Sequence, residues 1–330
     1  MPVDEKRITS WDVARLAGVS RSTVSQVLNG NHERFPQETR DRVAQAAETL
    51  SYRPSRAGRS LVTGLSDLIV VVVPNVTFGR HLQDAVDSIA ASTAATGMSV
   101  VVRYAGTDTS ATLTTVLDLR PAMVLDLGVF EQEQRNAIAA AGIRVTPNER
   151  ALAEMVEDPN HYIGRLQARH LLETSGRRLA VALLVDDRVD VFGPSRRQGV
   201  IDEALAAGAP DPIVVSVPLD LDGAVDALSS VLASAGGDPL GFCCYNDDVA
   251  IAVLGAARRL GLRVPEDVAV VGVDRTAVGQ LVEPRLTSVA FDLPRMFTEI
   301  ASHLIGQDAD LPQVLREADT FVELVVGESS

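Results

Sequence analysis

Two spacings of apolar residues divide this chain. Over roughly the first fifty positions hydrophobic residues recur every three or four places, whereas from Asp67 onward short aliphatic runs alternate with helical stretches. In Thr9 to Gly30, TSWDVARLAGVSRSTVSQVLNG, the residues Val13, Leu16, Ala17, Val19, Val24, Val27 and Leu28 form the seam expected of two short helices folded together. Thr9 followed by Asp12 has capping-box spacing, so a helix is expected to start there. Gly18 supplies the backbone freedom to leave it, and Ser20 stands where a side-chain oxygen caps a second helix. After Phe35 and Pro36 a third helix is expected, with Val43, Ala46, Ala47 and Leu50 at the i, i+3, i+4, i+7 spacing of a buried face.

Beyond Asp67 the pattern becomes strand, helix, strand: LIVVVV, then a helix from about Arg80 with Leu82, Ala85, Val86, Ile89 and Ala90 on one face, then Ser99 to Tyr104. Further strands are expected at Ala122 to Leu127, Arg178 to Val185, Ile213 to Val217, Gly241 to Tyr245 and Val268 to Val273. Strands buried on both faces read as continuous aliphatic runs, and amphipathic crossover helices cover them, so the body is parallel α/β. The series fits two sheets, and ligands of such folds sit at the carboxyl ends of the strands.

Composition narrows the picture. At 330 residues the chain has room for a small module plus one large or two medium domains. Its longest purely aliphatic run, Leu68 to Val73, falls far short of a bilayer span, and no apolar signal region follows the first charges, so a cytoplasmic protein is expected. Cys243 and Cys244 are the only cysteines. As strand neighbours they point to opposite faces, without metal or redox spacing. The net charge of −14 speaks against nucleic acid until its distribution is seen: residues 1 to 60 hold ten Lys/Arg against seven Asp/Glu, and the remainder 20 against 37. Only the head is basic. So small an excess binds a phosphate backbone weakly, and two heads acting together are needed for useful, salt-sensitive affinity.

The helical seam leaves Arg21, Ser22, Thr23, Ser25 and Gln26 outside. Arginine and glutamine near a helix N-terminus carry the donors and acceptors to read guanine and adenine edges in a major groove, and hydroxyls beside them hold phosphates. A solvated helical hairpin would show the same polar face. What separates the two is a longer motif: D-V-A-x-x-A-G-V-S-x-x-T-V-S-x-V-L-N, here Asp12 to Asn29, resembles the headpiece signature of the LacI/purine-repressor (LacI/GalR) family. The likeness continues through Thr39, Val43, Leu50, Ser51-Tyr52-Arg53-Pro54 and Arg59-Ser60-Leu61, and more weakly almost to the last residue.

The resemblance implies a small all-α helix-turn-helix headpiece (1–54), a hinge (55–65), and a periplasmic-binding-protein-like, two-lobed α/β domain with parallel sheets (66–330). One lobe would take about 66–163 plus 291–318, the other 164–290 plus 319–330. It implies a homodimer on near-palindromic double-stranded operator DNA. Arg21, Ser22 and Gln26 would read bases, and Thr9, Ser20, Thr23, Ser25, Asn29 and Thr39 would hold the backbone. In the family Ser55, Arg56, Gly58 and Arg59 fall in the hinge helix, and the leucine at Leu61 wedges into the central base step. Gly58 stands where alanine is usual, lowering helix propensity by ~1 kcal/mol.

For the effector, matching the family's motifs implies Phe78, Tyr162, Arg196, Asn246, Asp274 and Phe291, with a sugar, sugar phosphate or other metabolite as ligand. Arg196 matches the clamping arginine, whose planar fork suits a hydroxyl pair or a carboxylate. Asn246, Asp247 and Asp274 match polar cleft positions, though Asn and Asp there serve equally as helix caps. The chain departs from the pattern at Pro74–Phe78, at Asn160-His161-Tyr162, at Arg275 and at Phe291. Those changes favour a ligand with a negative or apolar portion.

No cofactor or metal is expected. There is no G-x-S-x-G elbow, Walker loop, G-x-G-x-x-G fingerprint or H-E-x-x-H pair, so an α/β enzyme is disfavoured. A solute-binding protein would carry an export signal and no headpiece. A leucine-heptad tail is also lacking, and tetramers built through one are not expected.

Overall fold

The computed structural model describes residues 8–28, 34–52, 65–75, 81–93, 97–106, 108–148, 157–185, 190, 192–296, 299 and 318–330. Three helices form the amino-terminal module: α1 (Ser10–Ala17), α2 (Arg21–Leu28) and α3 (Gln37–Thr49). The Asp12 carboxylate reaches back to the start of α1, accepting from the Thr9 N–H at 3.0 Å and the Thr9 hydroxyl at 2.8 Å. Gly18 ends α1 in the left-handed region at φ 65, a conformation in which a side chain would be strained. The Thr23 N–H then donates to Ser20 Oγ at 3.0 Å, capping α2.

Val13, Ala14, Ala17, Val24, Val43, Ala46 and Ala47 make the core of this module, with Val19, Val27, Leu28 and Leu50 packed against it. Leu16 departs from the expectation. It is 54% exposed, because α3 packs against the Ala14 side of α1 and turns the buried arc away from position 16.

The body holds two sheets. The first runs β1 (Ser66–Val73), α4 (His81–Thr93), β2 (Ser99–Tyr104), α5 (Thr109–Leu119), β3 (Pro121–Asp126), α6 (Gln132–Ala140) and β4 (Arg144–Thr146). Its strands lie in the order β2-β1-β3-β4, all parallel. Ile69, Val71 and Val73 enter one apolar cluster, while Val70 and Val72 enter another on the opposite face. Burial on both faces is why β1 reads as an unbroken aliphatic run.

The second sheet is built from α7 (Pro159–Ser175), β5 (Arg178–Leu184), α8 (Gly193–Ala206), β6 (Ile213–Val217), α9 (Leu221–Ala235), β7 (Leu240–Cys244), α10 (Asp247–Arg259), β8 (Val268–Val273), β9 (Thr287–Phe291) and β10 (Val322–Val325). Its order is β10-β9-β8-β7-β5-β6. Cys243 and Cys244 lie in the clusters on opposite faces, and burial pushes both thiols well above their ordinary pKa. β10 runs antiparallel to β9, the one reversed pair among the described strands and a departure from purely parallel sheets. The residues after β10 return to the start of β9 and to β8, where the Val270 N–H donates to the Ser329 carbonyl at 2.7 Å. Fully buried Ser329 donates through Oγ to the Val270 carbonyl at 2.6 Å and accepts from the Thr287 N–H at 2.9 Å.

Helices α7 and α8 cross at two glycines. A Cβ built on Gly164 would lie 2.0 Å from the Arg196 carbonyl oxygen, and one on Gly199 would lie 2.0 Å from the His161 carbonyl oxygen. Only hydrogen at both positions allows the backbones to approach this closely. Among the described residues no helix is long and apolar enough to cross a membrane.

Candidate nucleic-acid interface and ligand cleft

On α2 the side chains of Arg21, Ser22 and Gln26 are exposed, Thr23 and Ser25 are half-buried, and Thr9 is exposed beside them at the start of α1. Ser20 Oγ lies 2.7 Å from Ser22 Oγ and 2.8 Å from Thr23 Oγ1, a hydroxyl cluster at the helix N-terminus where backbone N–H groups favour an anion. Thr39 is half-buried in the first turn of α3. Asn29, Ser55, Arg56, Gly58, Arg59 and Leu61 lie outside the described residues, as does Phe78.

One residue in this region went unnoticed in the sequence. Trp11 is 62% exposed on α1, and the Arg21 guanidinium sits over its ring at 5.8 Å from the centroid. Arg21 Nε also donates to Ser10 Oγ at 3.2 Å. Between the helices lies a concavity of about 560 Å³ lined by Trp11, Ala14, Arg15, Val19, Ser20, Arg21 and Ser22. Trp11 had an apolar identity but no place in the helical seam, and an exposed aromatic leaves no periodic signal.

In the body, Arg196 is half-buried near the start of α8. Its Nε donates to Asn160 Oδ1 at 3.0 Å and one terminal amine donates to the Tyr245 carbonyl. The guanidinium lies 5.6 Å from the Phe192 ring centroid and 5.1 Å from that of Tyr245. Two rings and two acceptors hold it, so it is not a freely solvated surface arginine. Burial pushes the Tyr245 hydroxyl above its ordinary pKa, while the Arg196 charge works the other way and Asp190 and Asp274 reinforce the rise. Arg196, Asp190 and Asp274 thus converge on Tyr245, none of them its sequence neighbour.

Asn246 caps α10, accepting from the Val249 N–H at 3.0 Å. Asp247 does not face the cleft as expected. It is fully buried and accepts from the Thr276 N–H at 2.6 Å, the Thr276 hydroxyl at 2.9 Å and the Ser288 hydroxyl at 2.6 Å. Burial pushes its carboxyl up to about 6 despite these donors.

Asp274 and Arg275 follow β8 with φ of 95 and 45, unusual for residues with side chains. Both line a cavity of about 800 Å³ together with Phe291, Arg295 and, from α4, Asp84. Tyr162 packs against the same apolar cluster as Phe291. Of the expected effector residues, Asp274 and Phe291 line that cavity, Arg196 is held by Tyr245, and Asp274 bears on both groups through its charge on Tyr245, whereas the Asn246 side chain is spent on capping α10.

The departing stretch Asn160-His161-Tyr162 is fully employed. Asn160 holds Arg196, and His161 bridges Glu157 at 2.7 Å and Asp202 at 2.8 Å. Burial lowers the His161 pKa, but its bonds to the two carboxylates outweigh that and raise it overall. Arg165 and Arg169 continue the ladder onto Glu203 at 2.9 and 2.8 Å.

A reading helix on one module and two α/β sheets on the other are the parts of a DNA-binding regulator with a ligand-binding body. The chain belongs to the lacI family of bacterial regulatory proteins, whose profile matches residues 11–55, and residues 168–330 match the periplasmic binding protein-like domain. It is 32% identical to the HTH-type transcriptional regulator CelR of Thermobifida fusca, covering 92% of each chain. It is 26% identical to the HTH-type transcriptional regulator GalR of Escherichia coli, covering 93% of this chain and 91% of that one. A CelR–cellobiose complex superposes with a TM-score of 0.61 at 27% identity, over 98% of this chain and 100% of that one. The lac repressor dimer bound to operator and the anti-inducer ONPF shares the fold, with a TM-score of 0.73 at 22% identity over 98% and 99% of the two chains. These relatives are regulators of transcription, not enzymes, and this chain is a ligand-responsive DNA-binding regulator of the same family.

Proposed function

We propose that this regulator is a cytoplasmic repressor that binds a near-palindromic operator as a homodimer, one headpiece per half-site. The observation that carries the reading is the outward row Arg21, Ser22 and Gln26 on a capped α2, with the hydroxyls of Ser20 and Thr23 clustered at its start. Arg21, Ser22 and Gln26 read bases in the major groove; Thr9, Ser20, Thr23, Ser25, Asn29 and Thr39 hold phosphates. Two symmetric heads require two related half-sites. In this reading Val278 and Leu281, 58% and 84% exposed on the turn after β8, are assigned to the face that a second copy covers.

In this reading the chain divides at 1–54 and 55–65 into headpiece and hinge. The body 66–330 splits into lobes of about 66–163 plus 291–318 and about 164–290 plus 319–330. Ligand between the lobes shifts the population of ordered hinges, in which Ser55, Arg56, Gly58 and Arg59 pair across the dimer and Leu61 opens the central base step. Phe78, Tyr162, Arg196, Asn246, Asp274 and Phe291 are assigned to the effector. The cellobiose held by CelR supports a sugar-sized occupant. The cations Arg196 and Arg275 together with Phe291 favour one with an acidic or apolar part.

Selection of duplexes from a random pool by the full-length protein, with and without candidate metabolites, tests operator, symmetry and effector together. A two-fold symmetric enriched site is expected, and a pool without preference refutes the reading. Calorimetric titration with phosphorylated sugars, sugar acids and neutral sugars tests the ligand class. Binding of neutral sugars alone overturns the acidic or apolar assignment.

A further inference from the structure

We infer that Trp11 is a positioning residue for sequence discrimination: its indole face, together with the Ser10 hydroxyl, fixes the Arg21 guanidinium in the orientation that selects a base. The inference rests on the DNA-reading function proposed for α2. Arg21 is the first residue of α2, so no preceding turn of its own helix lies beneath its long side chain. Two residues of α1 supply that control instead.

The Arg21 Cζ lies over the exposed Trp11 ring at 5.8 Å from its centroid, at the outer reach of a cation–π contact. Arg21 Nε is committed to Ser10 Oγ at 3.2 Å. Both anchors act on the inner edge and one face of the guanidinium. Among the described residues this leaves the two terminal amines for a bidentate contact, the geometry that guanine O6 and N7 require. Both contacts fix the arginine before DNA arrives, so less side-chain freedom is lost on binding.

The surroundings fit this role better than a folding role. Trp11 is 62% exposed and absent from the apolar cluster of the module, whose core is Val13, Ala14, Ala17, Val24, Val43, Ala46 and Ala47. An aromatic that large on the surface contributes little to the module's own burial. It lines instead the concavity of about 560 Å³ that also receives Arg21, Ser20 and Ser22. Base preference is therefore expected to depend on the pair of positions 11 and 21, not on position 21 alone.

Trp11 is the only tryptophan in the chain, so its fluorescence reports on this spot without labelling. The test uses full-length wild type, Trp11→Phe, Trp11→Ala and Arg21→Ala, with duplexes selected from a random pool by wild type and single-base variants of them. Wild-type tryptophan emission is expected to change when the selected duplex is added. Arg21→Ala is expected to abolish discrimination at one base pair of each half-site. Trp11→Ala is expected to weaken discrimination at that same pair by about two- to fivefold, leaving other pairs and unselected duplex within error of wild type. Trp11→Phe, which keeps a ring face, is expected to restore most of it. Uniform weakening on all duplexes by Trp11→Ala, or loss of its helical circular dichroism, overturns the inference in favour of a structural role. An unchanged base profile overturns it outright. A pool in which wild type enriches nothing refutes the regulator reading itself, and the inference with it.

Discussion

Replacing Gly164 by alanine sets two effects against each other. In an exposed helix the change stabilises by ~1 kcal/mol through helix propensity. At the α7–α8 crossing the new Cβ would lie 2.0 Å from the Arg196 carbonyl oxygen, 2.9 Å from its carbon and 3.1 Å from the Val200 nitrogen. All three are backbone atoms, which no rotamer change can clear. Carbon–oxygen contacts in proteins sit at about 3.3 Å, so the helices must part by roughly an ångström. Beneath the crossing Ile163, Val200 and Ala204 are almost wholly buried, and such a gap forfeits roughly a quarter to a half of their contact energy across it. Overpacking of this kind costs about 1–3 kcal/mol and sometimes more. Against backbone atoms it falls at or above the upper end, leaving a net loss of about 2 kcal/mol. For a unit of this size that lowers Tm by roughly 4–8 °C. Thermal unfolding of full-length Gly164→Ala followed by circular dichroism measures it, with Gly199→Ala as the reciprocal case. The same displacement moves Arg196 away from Asn160 and Tyr245, so ligand binding is expected to weaken in parallel. A Tm equal to or above wild type would show that the close crossing does not constrain the fold, and the reasoning fails.

Other consequences can be measured directly. Asp247 titrates at about 6 in the folded chain against an ordinary 3.8, so its contribution to stability is full below pH 3.8 and is lost as pH rises toward 6. Two units correspond to up to about 3 kcal/mol. Asp247→Asn is expected to flatten the dependence of the urea midpoint on pH across that window, and identical slopes in the two proteins refute it. Arg21→Ala is expected to remove ~1–3 kcal/mol at particular operator bases, whereas Thr23→Ala weakens all duplexes alike; equal weakening by both contradicts the assignment of bases to one and phosphates to the other. Leu281→Glu, at the 84% exposed position after β8, is expected to weaken self-association by at least about tenfold in sedimentation while the fold survives. A dimer that persists places the interface elsewhere.

The reading head was legible because its signals are local. Thr9–Asp12 spacing, Gly18 at φ 65 and the Ser20 cap all act within three residues and all appear where the spacing puts them. Leu16 was misplaced because its burial depends on where α3 lies, which no pattern within α1 encodes. The inner strands β1, β3, β5, β7 and β8 were legible because burial on both faces leaves continuous apolar runs. β4, of three residues, is too short to announce itself, and β9, TSVAF, opens on two hydroxyl residues and carries no continuous aliphatic run. The body's chemistry was harder to see. Asp247 reads as one more acid at a helix start, and its burial is decided by Thr276 and Ser288, 29 and 41 positions away. Tyr245 meets Arg196 only once β7 and α8 are docked, so the sequence offered the arginine without its setting.

The order of the second sheet bears on how the protein is made. The inner strand β8 is flanked by β9, which pairs with β10, and Ser329 then locks onto Val270 and Thr287. Until residues 287 to 329 have left the ribosome, a wholly buried strand, VAVVGV, is left with a bare apolar edge. Such edges recruit other chains. The second sheet therefore completes itself only after residue 329 has been synthesised, and a chaperone that shields this strand in the interval should raise the yield of native protein.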